Sequence, residues 1–442
     1  VATAYETAVL ADSPAAFWHL GEAVGNFPDL TGHGNNMSAT GTSPVRAQPS
    51  LVPGNPDGSL QVSPTSAAGM GGTSATTDLG DIWSIEAWIK RGDQATQAQY
   101  LVSKPNGGYG MYLQNNNLCA VRASTAVLAA STITIDQNVH HCVVTKNGAA
   151  VKVYVDGVDV TGTVTNSTCT NTGYWLALGN DNGANPVTSV LMDEVAIYPT
   201  ALALSRVQAH YVAGLNPPAY RASGAFAVNG SGTPTINYPA GVQAGDLLFI
   251  HYSAFTNVTP TTPAGWTKIL DRVAIGSGNN FAYIYIKIAT GSEPASITFA
   301  NTGGNNFASG IMSAYTGVDP NTPINVSATA ALPTSGTAGS CPSVTTTRAG
   351  TMLLHLYWNF SNSATVTPDA ADTERYDTFE SNSNTGFEMA DRVQGAVGAT
   401  GTSSATFSTA TSGGLSGTFA LNPIPSGGGG GAAGSRMMRG LG

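Results

Sequence analysis

The stretch LMDEVAIYPTALALSRVQAHYVAGL, residues 191–215, decides the fold. Its first part, Leu191 to Tyr198, is an apolar run of strand length. Its second part offers Ser205 as a helix N-cap, Val207, His210 and Tyr211 at helical spacing, and Gly214 as the closing residue. Almost everything before it divides into short strand-like runs. A final strand and a short amphipathic helix place the end of a folded β-domain near residue 215. The rest of this 442-residue chain must then hold further structure. The chain reads as all-β and modular, with modules that suit binding or packing better than catalysis.

Working outward, WSIEAWIKR (83–91) is a strand with Trp83, Ile85, Ala87 and Ile89 on one face. Trp88 falls on the other face with Ser84, Glu86 and Lys90, so that side is expected to be partly covered, as in the central strand of a two-sheet sandwich. YLVSK (100–104), GYGMYLQ (108–114) and NLCAVRA (117–123) continue a meander. In HHCVVTKNGAAVKVYVDGVDV (140–160), Asn147-Gly148 sits between two alternating runs and predicts a tight hairpin. YWLALGN (174–180) adds a further strand. Near the N-terminus, YETAVLADSPAAFWHL (5–20) reads as a helical turn and a strand, with Asp12-Ser13-Pro14 as a helix or turn start.

Only 10% of residues are charged, against about 25% in an average soluble domain. Gly, Ser, Thr, Asn and Ala fill surface positions, which suits a subunit of an assembly or a secreted coat. The formal net charge of −9 argues against non-specific nucleic-acid binding. Four cysteines are too few for a disulfide framework; Cys142 reads as a core thiol, and a Cys119–Cys169 bridge stays open. Val1 to Leu20 lacks the basic start and apolar core of a signal peptide. No apolar run reaches 18 residues, so no membrane span is expected.

The words EAWIK, VHHCVVTKNGAAVKVYVDGVDVTG and LMDEVAIYPTALALSRVQAHYVAG resemble the laminin G-like, or concanavalin A-like, jelly roll over about 5–215. The family usually has a Trp before the His-His-Val strand; here Asn138-Val139 stands there, a change the core tolerates. The resemblance implies a two-sheet jelly roll whose members bind glycans or proteins, some with calcium, while others are structural spacers.

Asn216-Pro217-Pro218 breaks the chain after the helix, and 216–222 is read as a linker. A second antiparallel β-sandwich is expected over 223–425, with strands such as FAYIYIKIAT (281–290) and TMLLHLYWNF (351–360). GDLLFIHYSAF, PTTPAGWTKI, SAYTGVDPNTPI and SGTFALNP look like a β-sandwich repeated in virion tail proteins of bacterial viruses. The tail, 426–442, contains five consecutive glycines and forms no stable element alone. It reads either as a disordered end or as a segment anchored in a neighbouring subunit by Arg436, Met437, Met438, Arg439 and Leu441. Its Gly-rich composition resembles the C-termini of minor tail proteins from actinobacterial phages.

No HExxH, CxxC pair, GxSxG or phosphate-binding loop occurs. His140 and His141 alternate across a strand and so do not share a metal, and Asp193 and Glu194 are read the same way. For glycan binding the candidates are Tyr109, Tyr112 and Trp175, with sheet packing as the competing reading. For calcium they are Asp29 with loop carbonyls, or Asp57 and Asp193 brought together by the fold, with turn capping as the competing reading.

The expectation is therefore a non-enzymatic component of a bacteriophage tail tip or peripheral fibre. It would be exposed outside the cell and assemble with other tail subunits. A homotrimer is favoured, and the ligand is a host-envelope glycan. A secreted bacterial carbohydrate-binding or adhesive protein is the alternative. An accessory polysaccharide depolymerase using Glu86 or Glu194 is a third.

Overall fold

The computed structural model describes residues 2–425 except 42–44, 54, 56, 65, 71–73, 93–97, 171–172, 182–188, 277–278, 361–364 and 381–384. The tail residues proposed as anchors (Arg436, Met437, Met438, Arg439 and Leu441) lie outside the described residues. The fold is almost wholly antiparallel β, in two compact units that divide between Gly214 and Leu215.

The first unit is a concanavalin A-like, laminin G-like jelly roll of an eight-stranded and a seven-stranded sheet. The strand Ile82–Arg91 is central in the larger sheet, between Val139–Asn147 and Val190–Tyr198. As its alternation predicts, Trp83, Ile85, Ala87 and Ile89 face the core, where they meet Leu101, Met111 and Leu118 of the second sheet. The hairpin forms one residue later than expected: Asn147 pairs with Ala150, so Gly148 and Ala149 make the turn, with Gly148 in the left-handed conformation (φ 57°).

The reverse face of strand Ile82–Arg91 is covered by two helices, Ala4–Ala11 and Leu204–Gly214. Trp88 is buried there, stacked on Tyr211 at 6.0 Å and edge-on to Tyr5 at 6.0 Å. Helix Ala4–Ala11 starts from a capping box between Thr3 and Glu6. Of the two readings of Asp12-Ser13-Pro14, a helix start or a turn, the turn forms: it ends that helix, with Asp12 as its C-cap. Gly214 must lack a side chain, because a Cβ there would lie 2.3 Å from the Trp88 ring.

The second unit corrects the reading of a short linker followed by one sandwich. Ala219–Ser223, inside the supposed linker 216–222, is a strand paired with Ala308–Thr316. The unit is a tandem repeat. One sheet runs in the order Ala219–Ser223, Ala308–Thr316, Leu247–Phe255, Asn280–Ile288, Thr267–Ala274. The next runs Ile324–Leu332, Gly414–Leu421, Thr351–Phe360, Thr385–Gln394, Thr373–Glu380, which is the same topology begun again. AGDLLFIHYSAF (244–255) and AGTMLLHLYWNF (349–360) are equivalent words, as are Asn216-Pro217-Pro218 and Asn321-Thr322-Pro323.

The two main sheets of this unit share one core. Leu247, Phe249 and Ile284 from the first repeat meet Leu354, Trp358, Met389 and Phe419 from the second. Phe249 lies edge-on to Phe419 at 5.8 Å, and Trp358 Nε1 donates to the Tyr252 carbonyl at 3.1 Å. Each main sheet turns its other face to a smaller sheet, around Tyr252, Tyr285 and Phe299 in the first repeat and around Tyr357, Val366 and Phe407 in the second.

Because that core belongs to both repeats, Phe249→Ala should cost the whole second unit about 3–5 kcal/mol. Urea denaturation checks this. A loss under about 1 kcal/mol would mean that the repeats do not depend on each other.

Candidate functional site

Strand alternation places the three aromatic candidates differently. Tyr109 is buried in the core; its ring lies 5.7 Å from that of Trp83, and its hydroxyl donates to the Thr77 carbonyl at 2.9 Å. Tyr112 is buried on the opposite face of the seven-stranded sheet, edge-on to Tyr100 at 5.1 Å. Neither presents a ring to a ligand, so both assignments are corrected to packing roles. Trp175 differs. It is 42% exposed, more than any other Trp, Tyr or Phe among the described residues.

Backbone pairing explains how Trp175 is held. Leu176 and Leu178 point into the core, which turns Trp175 and Ala177 outward. A row of small residues, Ser38, Gly69, Ala177, Ser103 and Gly110, pairs across five adjacent strands of the sheet. The Trp175 ring lies against Gly69, where a Cβ would come within 3.6 Å of Cδ1. Tyr174 flanks it at 6.5 Å. Beyond the same short strand, Asp181 accepts from Ser103 and Ser124 hydroxyls, each at 2.6 Å.

The carboxylates read as calcium ligands do not assemble as expected. Asp29 is a loop organiser. Its Oδ1 accepts from the Phe17 and Thr31 amides at 3.2 and 3.0 Å, and its Oδ2 from the Asn35 amide at 3.0 Å. Those donors occupy both oxygens, so Asp29 is removed from the metal candidates. Asp193 Oδ2 accepts from the Leu51 amide at 2.8 Å and the Ser50 hydroxyl at 2.9 Å. Burial, then the neighbouring Glu194, push the Asp193 pKa well above the carboxylate range.

Glu194 is the residue the alternation rule misplaced. A register shift between Asp193 and Ala196 breaks the two-residue period, and Glu194 adopts φ 53°. Both acidic side chains are thereby buried. Glu194 Oε1 meets His19 Nδ1 at 2.8 Å and also accepts from the Asn55 amide group. His19 Nε2 lies 3.6 Å from Asp57 and 3.9 Å from Glu6. Donor atoms of His19, Asp57 and Glu194 all fall within 4.8 Å of one another. Burial alone would lower the His19 pKa, but the Glu194 hydrogen bond and charge, with Asp57 and Glu6, raise it to about 9. His19 was not among the sequence candidates; the one available signal was an Asp-Glu pair inside an otherwise apolar strand.

Glu86, a candidate acid in the depolymerase reading, is fully enclosed beneath the helices. Tyr5 and Tyr198 hydroxyls donate to it at 2.6 and 2.8 Å, and His141 Nε2 and His210 Nδ1 lie at 2.7 and 2.9 Å. His210 also faces Asp12 at 3.0 Å, which Arg206 pairs at 2.8 Å. Burial would raise the Glu86 pKa, yet the charge of His210 and hydrogen bonds from both histidines hold it well below the ordinary range. This constellation ties the helices to the sheet and leaves no approach for a substrate.

Residues 67–208 match the family described as the concanavalin A-like lectin/glucanases superfamily. No curated protein sequence matches the chain. Solved structures similar to it include the binding domain of Paraclostridial Mosquitocidal Protein 1, at 14% identity and TM-score 0.36, covering 56% of this chain and 61% of that one. Domain 4 of an extracellular arabinanase from Geobacillus stearothermophilus, solved with arabinotriose, has 19% identity and TM-score 0.34, covering 44% of this chain and 96% of that one. The binding domain of botulinum neurotoxin serotype D has 10% identity and TM-score 0.35, covering 58% and 62%. The chain thus spans about six-tenths of the two toxin domains, and the ligand has to be argued from side chains.

The Glu86 constellation sets a pH dependence. The depressed Glu86 pKa adds stability above the ordinary glutamate value of about 4.3, lost as pH falls through the folded pKa. The His210 pKa, which burial lowers but Glu86 and Asp12 raise overall, adds stability below about 6.5, lost as pH rises through the raised value. Urea midpoints of wild type and His210→Gln should therefore converge on the alkaline side and differ most just below about pH 6.5. A constant difference across that range would remove His210 from the account.

Proposed function

We propose that this chain is a non-enzymatic attachment component of a bacteriophage tail tip or peripheral tail fibre, and that its jelly roll binds a host-envelope glycan. The observation that carries the reading is Trp175, an exposed ring braced on Gly69 at the outer face of the seven-stranded sheet. An exposed, immobilised indole offers a flat apolar surface to the C–H face of a sugar without having to be ordered on binding. The jelly-roll fold itself supports a binding or adhesive role.

The remaining features agree with that role. The low charge density suits a surface that spends its life in an assembly. No described helix is long and apolar enough to cross a membrane. A weak single site would gain avidity from repeated copies, which is the use of trimeric presentation on a tail. The virion placement and the trimer rest on the resemblance of the second unit's strand words and of the Gly-rich end to tail proteins.

The test is binding of the full chain to purified bacterial cell-wall polysaccharide. Trp175→Ala should weaken it at least tenfold, about 1.4 kcal/mol, while the thermal midpoint stays within about a degree because the side chain is exposed. Equal binding by wild type and variant would sink the Trp175 site. Absence of binding by either would leave the chain a structural spacer.

A further inference from the structure

The rim around His19 gathers carboxyl groups whose oxygens are not all met by hydrogen bonds. Glu194 and Asp193 are buried side by side, and Glu194 Oε2 and Asp193 Oδ1 have no hydrogen-bond partner. Glu22 Oε2 is likewise buried without one. Asp57 and Glu6 approach the same imidazole. The nearby Arg46 guanidinium donates to the Glu22 and Gly25 carbonyls. A buried carboxylate with an open lone pair is costly unless a proton or a cation meets it, and converging donor atoms favour the cation.

We propose that His19, Asp57 and Glu194 form a divalent-cation site of the zinc class. One imidazole nitrogen and two carboxylate oxygens are the donor set of a borderline ion with a position left for water, whereas calcium takes oxygen alone. The three donors converge from separate segments: one just past the strand Ala16–Trp18, one from the loop before Ser59–Val62, and one inside Val190–Tyr198. The convergence is built. Glu194 holds a left-handed backbone, strained for a residue with a side chain, which turns its carboxylate toward the imidazole. The Asn55 side chain donates to that carboxylate, the outer contact that orients a ligand. Glu194 Oε2, fully buried and unpartnered, is the acceptor that an ion would complete. A bound ion would brace the N-terminal segment, the segment carrying Asp57 and the last strand at one rim, independently of the glycan reading.

The experiment uses the full chain, treated with chelator and then titrated calorimetrically with zinc and, separately, with calcium. Wild type should bind one zinc per chain and melt higher with it. Asp57→Asn, on a partly exposed loop, and His19→Gln should each weaken zinc binding at least about tenfold, and Asp57→Asn should keep the metal-free melting midpoint. No zinc binding by wild type, or unchanged affinity in Asp57→Asn, overturns the site. Calcium binding that persists in His19→Gln, without zinc binding, overturns the imidazole as a ligand. Polysaccharide binding measured in parallel separates a failure here from a failure at Trp175.

Discussion

The first unit depends on a strand buried on both faces. Ile82–Arg91 gives Trp83, Ile85, Ala87 and Ile89 to the inter-sheet core, and its reverse face carries Ser84, Glu86 and Trp88, all buried. A polar side chain survives there only if every lone pair is met. Ser84 donates to the Thr200 carbonyl at 2.7 Å and accepts from the Leu202 amide at 2.9 Å. Glu86 receives its four partners from helix Ala4–Ala11, the strands Val139–Asn147 and Val190–Tyr198, and helix Leu204–Gly214. Lys90 is exposed on the same face, past the end of the helical cover. The stretch 191–215 decides the fold because it supplies Tyr198, His210 and Tyr211 to this one face.

Features governed by neighbours in sequence were legible. The hairpin at Gly148 (to within one residue), the core face of Ile82–Arg91 and the closing helix each follow from local periodicity or turn chemistry. The cover over Trp88 was also legible, since an indole on a second face implies something to bury it. The repeat in the second unit was not. Its halves share a burial pattern and only scattered residues: Leu248 and Tyr252 recur as Leu353 and Tyr357, but Phe249 corresponds to Leu354, His251 to Leu356 and Tyr283 to Glu388. Alternation records only that a position faces a core. It does not tell one core shared by two halves from one core per sandwich, and so a single module was expected where the chain begins its topology again at Asn321.

The candidate site was legible in part, for reasons that differ by residue. Of the three aromatics read from the sequence Trp175 is the exposed one, but Tyr109 and Tyr112 could not be separated from it, because exposure depends on which strands pair above and below. Asp29 could not be told from a ligand, since a carboxylate that organises a loop and one that holds an ion look alike until the amides of Phe17 and Asn35 are in place. Glu194 was misplaced for a sharper reason. The rule that successive strand residues face opposite ways fails at a bulge, and nothing local in MDEVAIY announces one. With Glu194 misplaced, His19 had no partner and attracted no notice.

The two regions of interest lie on different sheets, which constrains what each can do. Trp175 leads into Ala177–Leu178 of the seven-stranded sheet, whereas Glu194 belongs to a strand of the eight-stranded sheet. Leu176 and Leu178 separate the Trp175 ring from the core, and Met192 and Val195 face that same core from beside Glu194. A cation at His19 therefore has the packed interior between it and a sugar on the Trp175 ring, and cannot ligate that sugar directly. Its free energy would be expressed as stability of the N-terminal strand and the segment carrying Asp57, with an effect on recognition only through the rigidity of the jelly roll as a whole. On these two proposals stability and recognition would be separable in this unit, since the bulge at Glu194 and the Trp175 ring belong to different sheets.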